Sequence, residues 1–359
     1  MFNPDRLRIA RKRRRMSSKE LAERTGLTAV TITRLEKFRN EPEPETVQAL
    51  VKALDFPREF FFGPDIDELN KDAASFRSLT SMTAKEREAA LAAGALAYML
   101  SDWVVERFNL PLVNLLDLSQ ERDAARAARS LRQHWALGEQ PISNMIRLLE
   151  KMGVRVFSLS ENTRNVDAFS CWRDGVPYVF LNTMKSAEHS RFDAAHELGH
   201  LVLHKHGGPQ QGREAEQEAN NFASSFLMPE ADVLARVPYM LSLDQMVAAK
   251  KRWGVSVAAL AYRLHRLKIL SDWQYRTFCI QINTRGFRTK EPNEMPREES
   301  AVWSKVLTQL WSERITKSHV AADLFIPADE VESLVFGLVA APQRPGARPA
   351  SRPSLLVNR

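Results

Sequence analysis

Residues 191–204 of the chain read RFDAAHELGHLVLH. His196 and His200 are four residues apart, so on a helix they lie on the same face, about 6 Å from each other. Two imidazoles at this spacing can bind one zinc ion, while Glu197 between them can take a proton from a water molecule that the ion activates. The flanking apolar residues predict a buried helix. Histidine and glutamate side chains are costly to bury there unless they are paired or bind a metal ion. The segment therefore predicts a metal site suited to hydrolysis.

A catalytic zinc site needs a third protein ligand and one open position. His206 has the spacing of an extended form of this motif, but that form requires glycine at the turn, where this chain has Leu203. His204 continues the i, i+4 series of histidines, but a third ligand on one straight helix lies too far along its axis to share the ion comfortably. We expect His204 to cap the helix or to line the site.

A carboxylate from the next helix is the better candidate. Glu218 follows a polar, glycine-rich loop that is long enough for an antiparallel return. Glu214 and Glu216 lie nearby and compete for the role. We favour Glu218 because it shares a helix face with Phe222 and Ser225, the side expected to face the first helix.

The segments before the histidine motif have strand character. A helix ends near Gly153, and Arg173-Asp174-Gly175 reads as a hairpin turn. The predicted strands cover residues 154–159, 168–172 and 178–181.

Several of these motifs occur together in one known family. The helix from Pro141 to Gly153, the strand pair ending in VFLN at 179–182, the histidine helix and the EANNFA segment at 218–223 resemble the ImmA/IrrE metallopeptidase family. The resemblance covers roughly residues 141–270. It implies zinc (Zn2+) as the cofactor, His196, His200 and Glu218 as its ligands, and Glu197 as the catalytic base. Members of this family are linked to the cleavage of repressor proteins in prophage, mobile-element and stress regulation.

The N-terminal segment predicts a second function. Residues 18–36 form a helix, a turn at Gly26 and a second helix that Thr28 can cap. Ser17 and Glu20 have the spacing of a capping box, and Pro44 suits the first turn of a later helix that ends near residue 54. This pattern is typical of a compact helical domain.

Residues 7–61 resemble the XRE, or phage-repressor, type of helix-turn-helix. The resemblance implies that the second helix enters the major groove of double-stranded operator DNA, and that the protein binds paired half-sites as a homodimer. Arg11 and Arg39 would then meet phosphates, and Arg34 would read guanine. The residues expected at the DNA are Ser18, Ala29, Val30, Thr31, Arg34 and Arg39.

Charge and composition agree with a DNA partner. The net charge is +7, and seven basic residues crowd the first fifteen positions. The alternative for this basic run is a solvated helix face. The two cysteines lack C-x-x-C spacing and fit a reducing cytoplasm. Apolar runs are too short to predict a membrane span.

The sequence thus predicts an α+β, mostly helical protein. Near residues 320–331 a second helix-turn-helix pattern occurs, which we interpret as a packing bundle. The predicted segments are a helix-turn-helix domain (1–66), a helical connector (67–140), a zincin-like metallopeptidase domain with a small sheet (141–280), a C-terminal helical region (281–341) and a disordered basic tail (342–359). Ser75-Phe76-Arg77 in the connector also occurs in fusions of this kind.

Two functional hypotheses remain open at this stage. The first is a transcription regulator whose zinc endopeptidase cleaves a partner repressor or antitoxin-like protein. The second is a transcriptional repressor whose zincin fold senses a ligand or stress without hydrolysis.

Overall fold

The protein is described by a computed structural model that covers residues 1–37, 41–69, 83–159, 168–205 and 212–339. Most of these residues are helical, and the strands among them form a three-stranded sheet. The predicted α+β, mostly helical class is confirmed. Arg39, His206, the Ser75-Phe76-Arg77 segment and the predicted tail at 342–359 lie outside the described residues.

The N-terminal helices begin and end where their local signals predict. Ser17 and Glu20 form the capping box, and Gly26 ends its helix in the left-handed conformation with φ 72°. The elements are α1 (Pro4–Arg13), α2 (Ser18–Thr25), α3 (Ala29–Lys37), α4 (Pro44–Leu54) and a 3₁₀ turn (Arg58–Phe62).

The helix α5 (Ala84–Val105) lies between the N-terminal helices and the rest of the protein. By length and composition alone it could span a membrane, but 78% of its most apolar window is buried inside the protein. Its alanine-rich surface packs against α1, so it serves as a core helix.

The predicted connector is not helical throughout. Residues 106–123 contain no helix, and helical structure resumes only in α6 (Ala124–His134). Pro111 disfavours helix for the residue before it and lacks an N–H donor. The backbone instead bonds to neighbouring segments: the Asn114 N–H donates to the Met152 carbonyl at 3.0 Å, and the Leu118 N–H donates to the Val202 carbonyl at 2.8 Å.

The sheet combines a parallel and an antiparallel pair. It follows α7 (Met145–Lys151) and consists of β1 (Arg155–Ser158), β2 (Phe169–Arg173) and β3 (Val176–Leu181). The order is β1–β3–β2, with β1 parallel to β3 and β2 antiparallel to it. The hairpin turn at Asp174-Gly175 has positive φ at both residues, 50° and 76°, which matches a type I′ turn and confirms the predicted hairpin.

Two packed helices carry the predicted metal residues. The helix α8 (Ala187–Leu203) lies on the sheet through β2 and β3, and α9 (Arg213–Leu227) packs along α8. The close approach of the two helices depends on Gly199, because a Cβ there would come within 3.0 Å of the Phe222 ring and 3.3 Å of the Ala219 Cα. On its other side, α9 packs against α6, so part of the predicted connector supports this helix pair.

The remaining described helices follow α9 along the chain. The pair α15 (Lys317–Asp323) and α16 (Ala328–Val335) carries the second helix-turn-helix pattern, but α16 contacts α5 and β1, and its Val331, Leu334 and Val335 are buried. It therefore packs inside the protein, as interpreted from the sequence. The helices are α10 (Glu230–Arg236), α11 (Leu243–Ala249), α12 (Val257–Arg266), α13 (Asp272–Thr284), α14 (Ala301–Ser312), α15 (Lys317–Asp323) and α16 (Ala328–Val335).

A buried ion pair joins the two ends of the chain. Glu330 on α16 is 2% exposed and accepts hydrogen bonds from Arg13 Nε at 2.6 Å and Arg14 Nη1 at 3.0 Å. Arg14 also donates to the Leu54 carbonyl at 2.8 Å. The N-terminal helices are thereby attached to α16.

Candidate metal centre and DNA-binding surface

The buried face of α8 determines where its polar residues project. Ser186 caps the helix by accepting from the His189 N–H, and Ala194, Leu198 and Val202 are fully buried. The imidazole of His196 is 14% exposed and that of His200 is 9% exposed, whereas Glu216 on α9 is 20% exposed. The three side chains meet where α8 packs against α9, and each is only partly exposed.

The distances among these side chains fit one small cation. The Nε2 atoms of His196 and His200 are 3.1 Å apart, and the Glu216 carboxylate lies 3.5 Å from the first and 3.6 Å from the second. Ligand atoms bound tetrahedrally to zinc at 2.0–2.1 Å are about 3.3 Å from each other. Two imidazoles and a carboxylate are also the donor types that zinc prefers. The residues present therefore fit a zinc ion.

The structure differs from the sequence-based choice of Glu218. Glu216, not Glu218, lies against the imidazole pair, and Glu218 bonds to His204 at 2.9 Å. The reason is the rotation of α9 about its own axis. Asn220, one turn after Glu216, contacts His196, so this flank of α9 faces the imidazoles. Glu218 shares a helix face with Phe222, but this face is not the one that lies against the imidazole pair.

Each imidazole has a partner on its second ring nitrogen. His196 Nδ1 lies 3.1 Å from Asn220 Oδ1, and His200 Nδ1 lies 3.0 Å from His204 Nδ1. Such outer partners orient metal-binding histidines and leave the Nε2 lone pair for the metal. His204 is also the residue that ends α8, as the sequence suggested.

Glu197 occupies a buried position between the helix and the sheet. It is 2% exposed, and one of its carboxylate oxygens accepts a hydrogen bond of 2.7 Å from the Ser170 hydroxyl of β2. This bond restricts the orientation of the carboxylate. Ser170 was missed by sequence reasoning, because only strand pairing places β2 beside α8.

The site holds charges of opposite sign. Burial lowers the pKa of His200 to about 4 and would also lower that of His196, but the Glu216 hydrogen bond and the charge of Glu197 raise the pKa of His196 overall. Burial opposes ionisation of Glu216, yet its contacts with the two imidazoles hold its pKa far below the usual range. A neutral imidazole beside an ionised carboxylate is a donor set suited to a divalent cation.

Three residues near the motif are buried and have structural roles. Tyr178 and Arg191 bond to Ser101 and to Glu298 respectively and are buried. Burial raises the pKa of the Cys171 thiol to about 12, so this cysteine is not a thiolate ligand.

The predicted recognition helix α3 presents most of the predicted DNA residues. Ala29, Val30 and Arg34 are exposed, with Val30 68% exposed, whereas Thr31 and Ser18 are half-buried. An exposed valine of this kind is suited to contact with a thymine methyl group. The helix therefore has an accessible face at the position where this motif contacts bases.

Two further residues belong to the same face. Thr33 and Lys37 line a shallow concavity together with Ala29, Val30 and Arg34. Their i+4 and i+7 spacing from Ala29 and Val30 was visible in the sequence, and sequence reasoning missed it.

Part of the basic N-terminal run is used inside the protein. Arg11, predicted to contact phosphate, is 8% exposed and forms a two-pronged pair with Glu36 at 2.6 and 2.8 Å. Arg6 is 4% exposed and donates to the Pro64 carbonyl at 2.7 Å. These arginines hold α1 against its neighbours. The phosphate role predicted for Arg11 is therefore replaced by a structural one.

Comparison with known families agrees with both parts of this description. Residues 7–61 match the family model described as helix-turn-helix, and residues 149–265 match a peptidase family model described as the IrrE N-terminal-like domain. The matched segments lie within the predicted domains at 1–66 and 141–280. No curated protein matches the chain. The chain therefore joins an N-terminal helix-turn-helix domain to a domain of the peptidase family described as IrrE N-terminal-like.

Proposed function

We propose that this protein is a cytoplasmic DNA-binding transcription regulator whose second domain is a zinc-dependent endopeptidase. Its metal ligands are His196, His200 and Glu216, and Glu197 is the catalytic base. The observation that carries the proposal is the set of separations of 3.1, 3.5 and 3.6 Å among the three ligand groups, with Glu197 one residue after the first histidine. The substrate is a repressor or antitoxin-like protein acting in stress, prophage or mobile-element control.

Zinc, Glu197 and Ser170 have separate roles in the proposed peptide hydrolysis. When bound, zinc supplies Lewis acidity, which polarises a peptide carbonyl and brings the pKa of a water molecule to about 7. Glu197 accepts the proton of the attacking water and passes it to the nitrogen of the leaving amine. The hydrogen bond from Ser170 keeps the Glu197 carboxylate in one orientation during both transfers.

The DNA-binding part of the proposal rests on the exposed face of α3. Arg34 reads a base in the major groove, and Ala29 and Val30 contact thymine methyl groups. The half-buried Ser18 and Thr31, together with Arg39, complete the proposed set. Because helix-turn-helix regulators bind paired half-sites, we propose a homodimer on the operator.

Cleavage of a protein partner is the direct test of the peptidase. The zinc-loaded full chain is incubated with the repressor-type proteins encoded beside its own gene, and fragments are identified by mass spectrometry. We expect cleavage by the wild-type protein and none by the Glu197→Gln variant, which keeps the shape of the side chain but lacks the base. Glu214→Gln, an exposed change on α9, is the matched control and should cleave normally.

The outcomes separate the two functional hypotheses. Cleavage that survives in Glu197→Gln would refute the assigned base. Stoichiometric zinc without cleavage of any of these proteins would favour a repressor that senses a ligand or stress through its zincin fold. Absence of zinc after purification and reconstitution would refute the metal site itself.

A further inference from the structure

A third histidine and a second carboxylate adjoin the metal site without a role in the ligand set. His204 ends α8, and its Nε2 atom lies 2.9 Å from Glu218 Oε2. Its Nδ1 atom lies 3.0 Å from His200 Nδ1. The three side chains therefore form an unbroken chain of hydrogen bonds from Glu218 through His204 to His200, and they are only partly exposed.

The two carboxylates of α9 approach His200 from opposite sides. Glu216 and Glu218 are two residues apart, so they project about 200° from each other around the helix. Glu216 faces the Nε2 atom of His200 at 3.6 Å, while the chain from Glu218 ends at the Nδ1 atom of the same ring. The ring of His200 is thus held on both of its nitrogens by the same neighbouring helix, once directly and once through His204.

The hydrogen-bond inventory determines where the protons lie. A carboxylate oxygen only accepts, so His204 Nε2 carries the proton that is donated to Glu218. In the tautomer of His204 that has no second ring proton, Nδ1 accepts from His200 Nδ1. His200 then carries its proton on Nδ1, and its Nε2 lone pair is left for the metal.

We propose that Glu218 and His204 are positioning residues that hold His200 in the tautomer and orientation required for metal binding. The inference rests on the proposed ligand set of His196, His200 and Glu216. It assigns Glu218 an outer role in place of direct coordination. Asn220 has the corresponding role for His196, since its Oδ1 atom lies 3.1 Å from His196 Nδ1 and accepts from it.

Zinc affinity is the first test, measured on the full chain by competition with a chromophoric chelator. Loss of an outer partner of a metal-binding histidine costs roughly 10- to 100-fold in affinity. We expect a loss in this range for Glu218→Ala and for His204→Ala. The double variant should lose no more than the larger single effect, because both residues act through one chain. Glu214→Ala on the same helix is the control and should bind zinc like the wild type.

The tautomer of His200 is the second test and does not depend on loaded enzyme. Two-bond ¹H–¹⁵N spectra of the metal-free protein, labelled at histidine, distinguish a proton on Nδ1 from one on Nε2. We expect His200 to be Nδ1-protonated in the wild type and a mixture of tautomers in Glu218→Ala. A merely structural effect of the substitution would leave the tautomer unchanged.

The outcomes distinguish this inference from the proposed function. If Glu218→Ala binds zinc as tightly as the wild type while Glu216→Ala does not, the positioning role is refuted and the ligand set stands. If Glu218→Ala abolishes binding while Glu216→Ala retains it, Glu218 is itself a ligand, and both the inference and the ligand set are wrong. If neither variant nor the wild type binds zinc, the proposed metal site fails before the positioning role is reached.

Discussion

The buried pair between the ends of the chain should make a large contribution to stability. Glu330 is 2% exposed and receives hydrogen bonds from Arg13 and Arg14, whose side chains are 12% and 20% exposed. In the Glu330→Ala variant both guanidinium groups lose this partner while they stay largely desolvated. Breaking a buried ion pair by removing one partner costs about 3–5 kcal/mol.

The surroundings of Arg14 and Glu330 lower the expected loss of stability in Glu330→Ala below that range. Arg14 keeps its bond to the Leu54 carbonyl and a contact with the exposed Asp329 at 3.3 Å, so its loss is only partial. Burial also raises the pKa of Glu330, which means that desolvation already weakens the benefit of its charge. We therefore expect a loss of about 2–3 kcal/mol in the free energy of unfolding.

Urea denaturation followed by tryptophan fluorescence measures this effect. With a urea dependence of about 3 kcal/mol per molar, the transition of Glu330→Ala should move to lower urea by about 0.7–1 M. The control is Glu332→Ala on the same helix, whose side chain is 65% exposed and lies 3.9 Å from Lys317. It should change stability by less than about 0.5 kcal/mol. Equal midpoints for the two variants would refute the reasoning.

Three further results are expected. Gly199→Ala should weaken zinc binding and lower the free energy of unfolding by up to about 2 kcal/mol. Overpacking costs about 1–3 kcal/mol, and the higher helix propensity of alanine offsets about 1 kcal/mol of this. Unchanged zinc affinity would mean that the spacing of the two helices does not matter. Arg34→Ala should weaken operator binding by about 1–3 kcal/mol and relax the preference at one base position, as measured by titration at fixed salt. Arg276→Ala, at an exposed position, is the control and should leave binding unchanged. An equal loss of affinity on every DNA sequence would contradict the proposal that Arg34 reads a base. The Lys85 hydrogen bonds and the capping box lower the pKa of Glu20 to about 2, so its stabilising effect should be full above about pH 4.5 and disappear as the pH falls through about 2. An NMR titration of its carboxylate should show this midpoint in the wild type, and a normal midpoint would contradict it.

Local chemistry was readable from the sequence because each signal depends on neighbours in the chain. The four-residue spacing of His196 and His200 places them on one helix face in any protein. The same holds for the capping box at Ser17 and for the positive φ that Asp174-Gly175 allows in a hairpin. These features predicted the helix-turn-helix, the hairpin and two of the three proposed metal ligands.

The choice of the third proposed ligand depends on packing between distant segments. Glu216 and Glu218 have the same chemistry, and only the rotation of α9 against α8, set where Gly199 meets Phe222 and Ala219, determines which one reaches the imidazoles. The non-helical path of residues 106–123 likewise depends on tertiary partners, because Asn114 and Leu118 bond through their backbone to segments far along the chain.

The N-terminal arginines show the same difference between what the sequence determines and what the tertiary structure determines. The sequence determined by itself that a basic helix begins the chain, since charge and helix signals are local. Only the tertiary structure decided that Arg11 binds Glu36 and that Arg13 binds Glu330, 317 residues away. A guanidinium group can bind a phosphate or a carboxylate with the same geometry, and which one it meets depends on what the fold brings beside it.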